Sequence, residues 1–442
     1  MRLRTILGSL AAAGGLSAVL LLPLALAGDP PPYAPAVPGC GDGEIPNTTV
    51  NCPSQRAWEV LVAISRPSEA VPRKAEWQTW PLDQDVFPPC PDPAKCTGNL
   101  ETDDPQLCPT QPKPDRIPPA QPPSKVSAHF RTVLRDSGIL PGDPAEIAQD
   151  TLLAETELVY RNPPSVRYIV ENRLWFQEGQ VETFARAEAP RFPLDSVVTK
   201  VHWLPIEERA KSRYHWSYLL VKDSKTGKES RQLVGMVGLV FMAKELPTWF
   251  WAAFEHVDNL GACDFIGCYD DFGAEPAYTP SKTPFFESYP APAPTPTERL
   301  KRLVREGGLD PVWLNYRLKG VQLDFTDGAG RPTLLGDSQI EAGFLATSSC
   351  MTCHSRATIA PTAPVSGPGT QVPHNVGIFS PTINGQSLYG APNPAWFRGP
   401  SGALGFLQLD FTWGLTGAQA ADPAIRALNP QGYQGCPPAG GS

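Results

Sequence analysis

The strongest hydrophobic pattern in the chain lies between residues 197 and 242. Val197 to Leu204 is dense in β-branched residues, and Tyr214 to Lys222 and Gln232 to Met242 are apolar runs on either side of the polar Asp223-Ser224-Lys225-Thr226-Gly227-Lys228. A Gly-containing polar segment between two such runs is a turn signal. The pattern predicts a hairpin with a third strand beside it, and so an antiparallel sheet in the middle of the protein. Met236 and Met242 have the same parity within their run, which predicts that they share one core face. Around the sheet, helices are expected at Gln55–Ser65, capped by Ser54, at 144–161 behind Asp143-Pro144, and at 296–306. Residues 249–258, with Trp249, Trp251, Phe254 and His256, read as a short aromatic helix. A further helix is expected near 339–357, and strands at 313–325 and Phe406–Trp413. Residues 166–184 are mixed in period.

Composition makes this picture loop-rich. The 442 residues include 52 prolines, clustered at 29–38, 88–93, 105–123, 276–296 and 361–373, above the ordinary share of about 5%. Proline at that density belongs to loops and linkers, not to helix or strand interiors. The expected fold class is α+β, a central antiparallel sheet with short helices and many Pro-rich loops. Residues 1–27 form an expected signal peptide, 28–125 a Cys- and Pro-rich region, 126–335 the α+β region with the sheet, and 336–442 a C-terminal region able to pack with it as one domain.

The signal reading rests on Arg2 and Arg4, a following apolar run, and the small-x-small site Ala25-Leu26-Ala27. An uncleaved anchor is the alternative, since the uncharged run from Thr5 to Gly28 is 24 residues long and a membrane helix takes about 20. No integral membrane domain is expected after signal cleavage. Without residues 1–27 the chain has 35 basic and 45 acidic residues, a net charge of −10. That balance argues against nucleic acid or an anionic membrane surface as partner. No Ser-His-Asp triad, Gly-rich phosphate loop or usable carboxylate pair is evident.

The chemistry is concentrated in Cys350-Met351-Thr352-Cys353-His354. C-x-x-C-H is the attachment signature of a covalent haem c. Two thiols three positions apart occupy one side of a helical turn and can add to two vinyl groups of one porphyrin, and the adjoining histidine becomes the proximal iron ligand. The motif would place the haem site on a helix in the C-terminal half. A thioredoxin-like disulfide would want a βαβ context and a zinc site a second ligand pair, and the flanking residues offer neither. Of the ten cysteines, the remaining eight are even in number, as a disulfide framework in an oxidising compartment requires. Cys263 and Cys268 form the natural local bridge, and Cys436 needs a distant partner among Cys40, Cys52, Cys90, Cys96 and Cys108.

The other axial ligand is open from sequence. No methionine follows His354, because the four are Met1, Met236, Met242 and Met351. His256, with Glu255 and Asp258 near it, is the candidate second ligand or distal-pocket residue, and His374 is another. His129, His202 and His215 read as solvated or core histidines. Two strong ligands would confine the protein to electron transfer, whereas an open site near His256 would permit a haem enzyme of the oxidoreductase class or a small-gas-binding protein.

Cys350, Cys353 and His354 behind an export signal resemble the c-type cytochromes. Ala57-Trp58-Glu59-Val60-Leu61-Val62-Ala63-Ile64, residues 247–259, Tyr316-Arg317-Leu318-Lys319-Gly320 and Ser348–His354 together resemble a family of large, exported, single-haem bacterial cytochromes of unassigned reaction. The resemblance implies one covalently attached heme c, electron transfer in the periplasm and a redox partner protein. It supplies no catalytic residues.

Overall fold

The computed structural model describes residues 40, 47–113, 115–120, 156–222, 226–259, 262–263, 265–281, 294–341, 345–364, 371–374, 390–398 and 401–427. Six strands build the central sheet: β1 (Thr156–Arg161), β2 (Val197–Pro205), β3 (Trp216–Lys222), β4 (Glu229–Ala243), β5 (Phe250–His256) and β6 (Tyr316–Gln322). Their order is β1-β2-β4-β5-β6, with β3 also on β4. Every pairing is antiparallel. The fold is therefore α+β around an antiparallel sheet. The hairpin β3–β4 and the neighbouring β2 follow the sequence pattern closely.

Each face of the sheet carries its own apolar core. On the first, Leu158, Val201, Phe241 and Phe254 meet Trp58 and Leu61 of helix α1 (Pro53–Ser65). Leu300 and Val304 complete it from the helix Glu298–Glu306. On the second, Val198, Val240, Met242 and Trp251 meet Val166 and Ile169 of helix α2 (Pro163–Glu171) and segments from Leu335 to Ala418. Residues 57–82 thus share a core with the sheet.

A β-bulge decides which side chains reach which core. Against β2, His202 faces Gly238 but Trp203 faces Met236, so Val237 is an extra residue in β4. The alternation inverts across it. Val234 and Met236 lie in the first core with Leu239 and Phe241, while Val240 and Met242 lie in the second. Equal parity does not keep the two methionines on one face, because the bulge intervenes.

Other expectations also change. Residues 250–256 are strand, not helix. Phe250, Ala252 and Phe254 enter one core and Trp251 and Ala253 the other. A strand buried on both faces shows no polar alternation to betray its period. Thr156–Arg161 is strand β1 where a helix over 144–161 was expected, and 144–155 lies outside the described residues. The mixed stretch 166–184 is mostly helical, in α2 and Gln177–Ala185. Of the helix expected near 339–357, the described residues form helix α3 (Cys350–His354) and a 3-10 turn at Leu345–Thr347, and Phe406–Trp413 contributes just Leu407–Gln408 as strand. Helix α1 starts at Pro53 with Cys52 as its cap residue, which places Ser54 inside it, buried.

Disulfides Cys40–Cys52, Cys96–Cys108 and Cys263–Cys268 staple the loops. Cys90 is disulfide-bonded too, and Cys436 lies outside the described residues. Among the described residues no helix is long and apolar enough to cross a membrane, and residues 1–27 are not among them.

One buried ion pair ties the C-terminal segment to the sheet. Lys244, just past β4, meets Asp410 at 2.6 Å, with both side chains 7% exposed. Asp410 also accepts from Phe192 N at 2.8 Å, and its carbonyl accepts from Trp249 Nε1 at 3.0 Å. Breaking one side of such a pair leaves an uncompensated buried charge, at a cost of about 3–5 kcal/mol. Lys244→Met is expected to lose stability on that scale in urea denaturation. Adding Asp410→Asn is expected to restore part of it, since asparagine keeps the shape and removes the stranded charge.

Candidate cofactor site

Helix α3 is a single turn, and its start is held by side chains. Ser349 caps it, its Oγ accepting from Thr352 N at 3.3 Å. Gln322, the last residue of β6, donates to Ser349 Oγ at 2.8 Å and accepts from Met351 N at 3.0 Å. The turn is thereby moored to the sheet edge. Met351 is fully buried in the second core, while Cys350, Cys353 and His354 border a cavity of about 450 Å³. That volume lies in the range of ligand sites, about 300–1,000 Å³.

The cavity lies between α3 and the second face of the sheet. Its floor is Val159 and Arg161 of β1, Val198 and Lys200 of β2, Met242 of β4 and Trp251 of β5. Ile340, Glu341 and Trp413 border it with the motif. Alternate residues supply most of the strand lining, as at Glu157, Val159 and Arg161 or Val198 and Lys200, and Phe241 of β4 borders the cavity between Val240 and Met242.

His354 is in the protonation state a metal ligand needs. Its Nδ1 lies 2.8 Å from the carbonyl oxygen of Phe411. A carbonyl only accepts, so Nδ1 carries the proton and Nε2 keeps its lone pair. Burial lowers the imidazole to about 4, so the ring is neutral at neutral pH. Trp251 packs edge-on to it, with ring centroids 4.7 Å apart. The accepting carbonyl sits in an uncommon backbone: Asp410 and Phe411 both have left-handed φ, 48° and 65°. Such positions are strained for non-glycine residues and persist where the surroundings hold them. The bonds from Lys244 and Phe192 to Asp410 do the holding here.

The two thiols differ from every other described cysteine. Cys350 and Cys353 are free, whereas Cys40, Cys52, Cys90, Cys96, Cys108, Cys263 and Cys268 are disulfide-bonded. Burial pushes the Cys353 thiol up to about 12 and Cys350 well above its usual value. Neutral buried thiols are poor nucleophiles for disulfide exchange and poor zinc ligands. No group of three or more His, Cys, Asp or Glu among the described residues is placed to hold a metal ion by itself.

Charge is gathered at one part of the cavity. Arg161 pairs with Asp83 at 2.6 Å and Lys200 with Glu157 at 2.8 Å. Arg161 is buried, and its Nη1 finds no hydrogen-bond partner among the described residues. An orphaned guanidinium N–H beside a cavity suits a carboxylate-bearing ligand. Burial opposes the charge on Lys200, but Glu157 outweighs it and holds the ammonium above its ordinary range. Burial raises Glu341 to about 7 against the pull of Lys200.

His256 is not brought to this cavity. It ends β5 on the face opposite Trp251, because residues five apart on a regular strand point to opposite sides. Its Nε2 lies 3.1 Å from Arg213 O, its Nδ1 accepts from Asp258 N at 3.1 Å, and the ring stacks on Tyr214 at 3.8 Å. Glu255 is engaged by Lys319 at 3.1 Å and by Ser338. His374 ends a short strand beside Ala360, and its side chain lies outside the described residues. His215 is a core histidine, its Nε2 2.9 Å from Gln78 Oε1, and His129 is not among the described residues. Sequence reasoning missed Arg161, Lys200, Glu341, Met242 and Trp413. Only Lys200 gave a signal, as a lone charge within Val197-Val198-Thr199-Lys200-Val201. No protein-family model, no curated protein and no solved structure matches this chain.

Two predictions follow from this geometry. Burial lowers His256 to about 4, below its value of about 6.5 in an unfolded chain. The unfolded state therefore gains a proton between those values that the folded state refuses, and stability falls as pH drops from about 6.5 to 4. His256→Gln is expected to lose stability at pH 7 yet narrow the gap between pH 7 and pH 4.5, as read by urea unfolding at both. At Gly414 a Cβ would lie 1.9 Å from Arg161 Nη2 and 2.5 Å from Asp83 Oδ2. Gly414→Ala is expected to force that ion pair apart and cost about 1–3 kcal/mol, read the same way.

Proposed function

We propose that this chain is a c-type cytochrome that carries one covalently attached haem and transfers electrons outside the cytoplasm. The observation that carries the reading is the contrast among cysteines. In a disulfide-rich chain, Cys350 and Cys353 alone among the described cysteines are free, one helical turn apart, and border a cavity with a neutral imidazole. That donor set fits two thioether links and a proximal histidine.

When bound, the haem supplies a one-electron couple at its iron. The residues of this chain set its surroundings. His354 would present Nε2 to the iron, and the Phe411 carbonyl fixes the ring and raises its basicity. Val198, Val240, Ile340 and Trp251 exclude water from the apolar part of the cavity. Arg161 and Lys200 offer positive charge for the porphyrin carboxylates. The disulfides argue for an oxidising compartment, which suits a periplasmic protein exported by residues 1–27. A redox partner protein would accept or supply the electron, and the net charge favours a basic one. The alternative of a haem enzyme or gas-binding protein built around His256 draws no support from that residue, whose ring is stacked and hydrogen-bonded on the other face of the sheet.

The test is the mass of the denatured mature chain after export in a host that attaches haem. One haem is expected on the native sequence and none on Cys350→Ala/Cys353→Ala. A native chain that emerges with two unmodified thiols sinks the reading.

A further inference from the structure

The cavity holds one neutral soft donor besides the motif itself. Met242 lines it from β4 and is 4% exposed. Its partner across the pairing with β5 is Trp251, and across the pairing with β2 it is Val198. Directly opposed residues in a sheet have Cβ atoms about 4.5–5.5 Å apart. Trp251 in turn packs against the His354 ring at 4.7 Å. The thioether, the indole and the imidazole are therefore contiguous around one space.

We propose that Met242 is the distal ligand to the iron, opposite His354, supplied by the sheet and not by chain that follows the motif. The inference rests on the haem reading above. Competing donors in the cavity are committed elsewhere. Lys200 is held charged by Glu157 and has no lone pair to give. Asp83 is paired with Arg161, and Glu341 accepts from Asp337 N at 2.6 Å. His256 lies on the other face, and His202 is not among the residues lining the cavity. A thioether requires no hydrogen bond, so Met242 can turn toward a metal without stranding a polar group.

The Val237 bulge gives this arrangement its reason. In a regular β4, Met242 would share the face of Met236 and lie in the first core, away from His354. The extra residue delivers a sulfur to the cavity from a strand more than a hundred positions before the motif. Methionine–histidine ligation closes the iron to small gases and raises its potential, which suits an electron carrier.

The experiment uses the full exported protein with haem attached, checked by intact mass. The ferric protein is expected to be low-spin and to show the weak far-red sulfur-to-iron charge-transfer band. Met242→Leu, a near-isosteric change that cores tolerate well, is expected to keep the haem mass, lose that band, lower the potential and make the ferrous form bind carbon monoxide. Met236→Leu, on the other face, is expected to change none of these. A Met242→Leu protein whose far-red band and carbon monoxide response match the native protein overturns the assignment, as does a native protein with no such band. A native chain without haem mass fails the cytochrome reading itself and takes this assignment with it. A chain with haem but an unaltered Met242→Leu spectrum fails this assignment alone.

Discussion

A strand can show only every second side chain to one side, and most of this protein follows from where that rule is kept and where it is broken. In β5 it is kept. Trp251 faces the cavity, so His256 must face away, and it is satisfied there by Arg213, Asp258 and Tyr214. In β4 the rule is broken once, at Val237, and the break moves Met242 to the side where Trp251 and His354 lie. The two cores of the sheet and the chemistry at the cavity are thus set by a count of residues as much as by their identity.

The second determinant is the set of polar contacts that hold the motif in one orientation. Gln322 fixes the start of the helical turn from the edge of the sheet. The Phe411 carbonyl fixes the imidazole tautomer, and that carbonyl is itself held by a strained pair of left-handed residues anchored through Asp410 to Lys244. The Gln322 and Lys244 contacts are buried and the His354 one partly so, and in such surroundings hydrogen bonds are electrostatically stronger and unpaired groups cost most. The same economy explains the charges at the cavity. Arg161 and Lys200 are neutralised by Asp83 and Glu157, yet Arg161 Nη1 finds no hydrogen-bond partner among the described residues.

A large part of the sheet could be read from the chain. Strands β2, β3 and β4 were visible as β-branched and apolar runs around a Gly-containing turn, and the Cys263–Cys268 bridge was visible as a short spacing. Strand β5 was not, because burial on both faces removes the polar half of the alternation. Strand β1 was not, because Asp143-Pro144 suggested a helix start and the alternation of Glu157, Val159 and Arg161 points charged residues at an internal cavity instead of at solvent. The site was legible only in Cys350, Cys353 and His354. Arg161, Glu341 and Trp413 carry no local signal, since their place at the cavity comes from strand pairing and chain return.

The sequence alone determined the C-x-x-C-H pentapeptide, the antiparallel centre, the loop-rich character and the even set of eight cysteines outside that pentapeptide. Those features are local in the chain or additive over it. Tertiary structure decided the rest: which face each donor meets, which tautomer His354 adopts, which charges are paired, and whether His256 or Met242 borders the cavity with the motif. Such questions turn on register and burial, and a single extra residue in one strand was enough to reverse the answer that parity alone suggested.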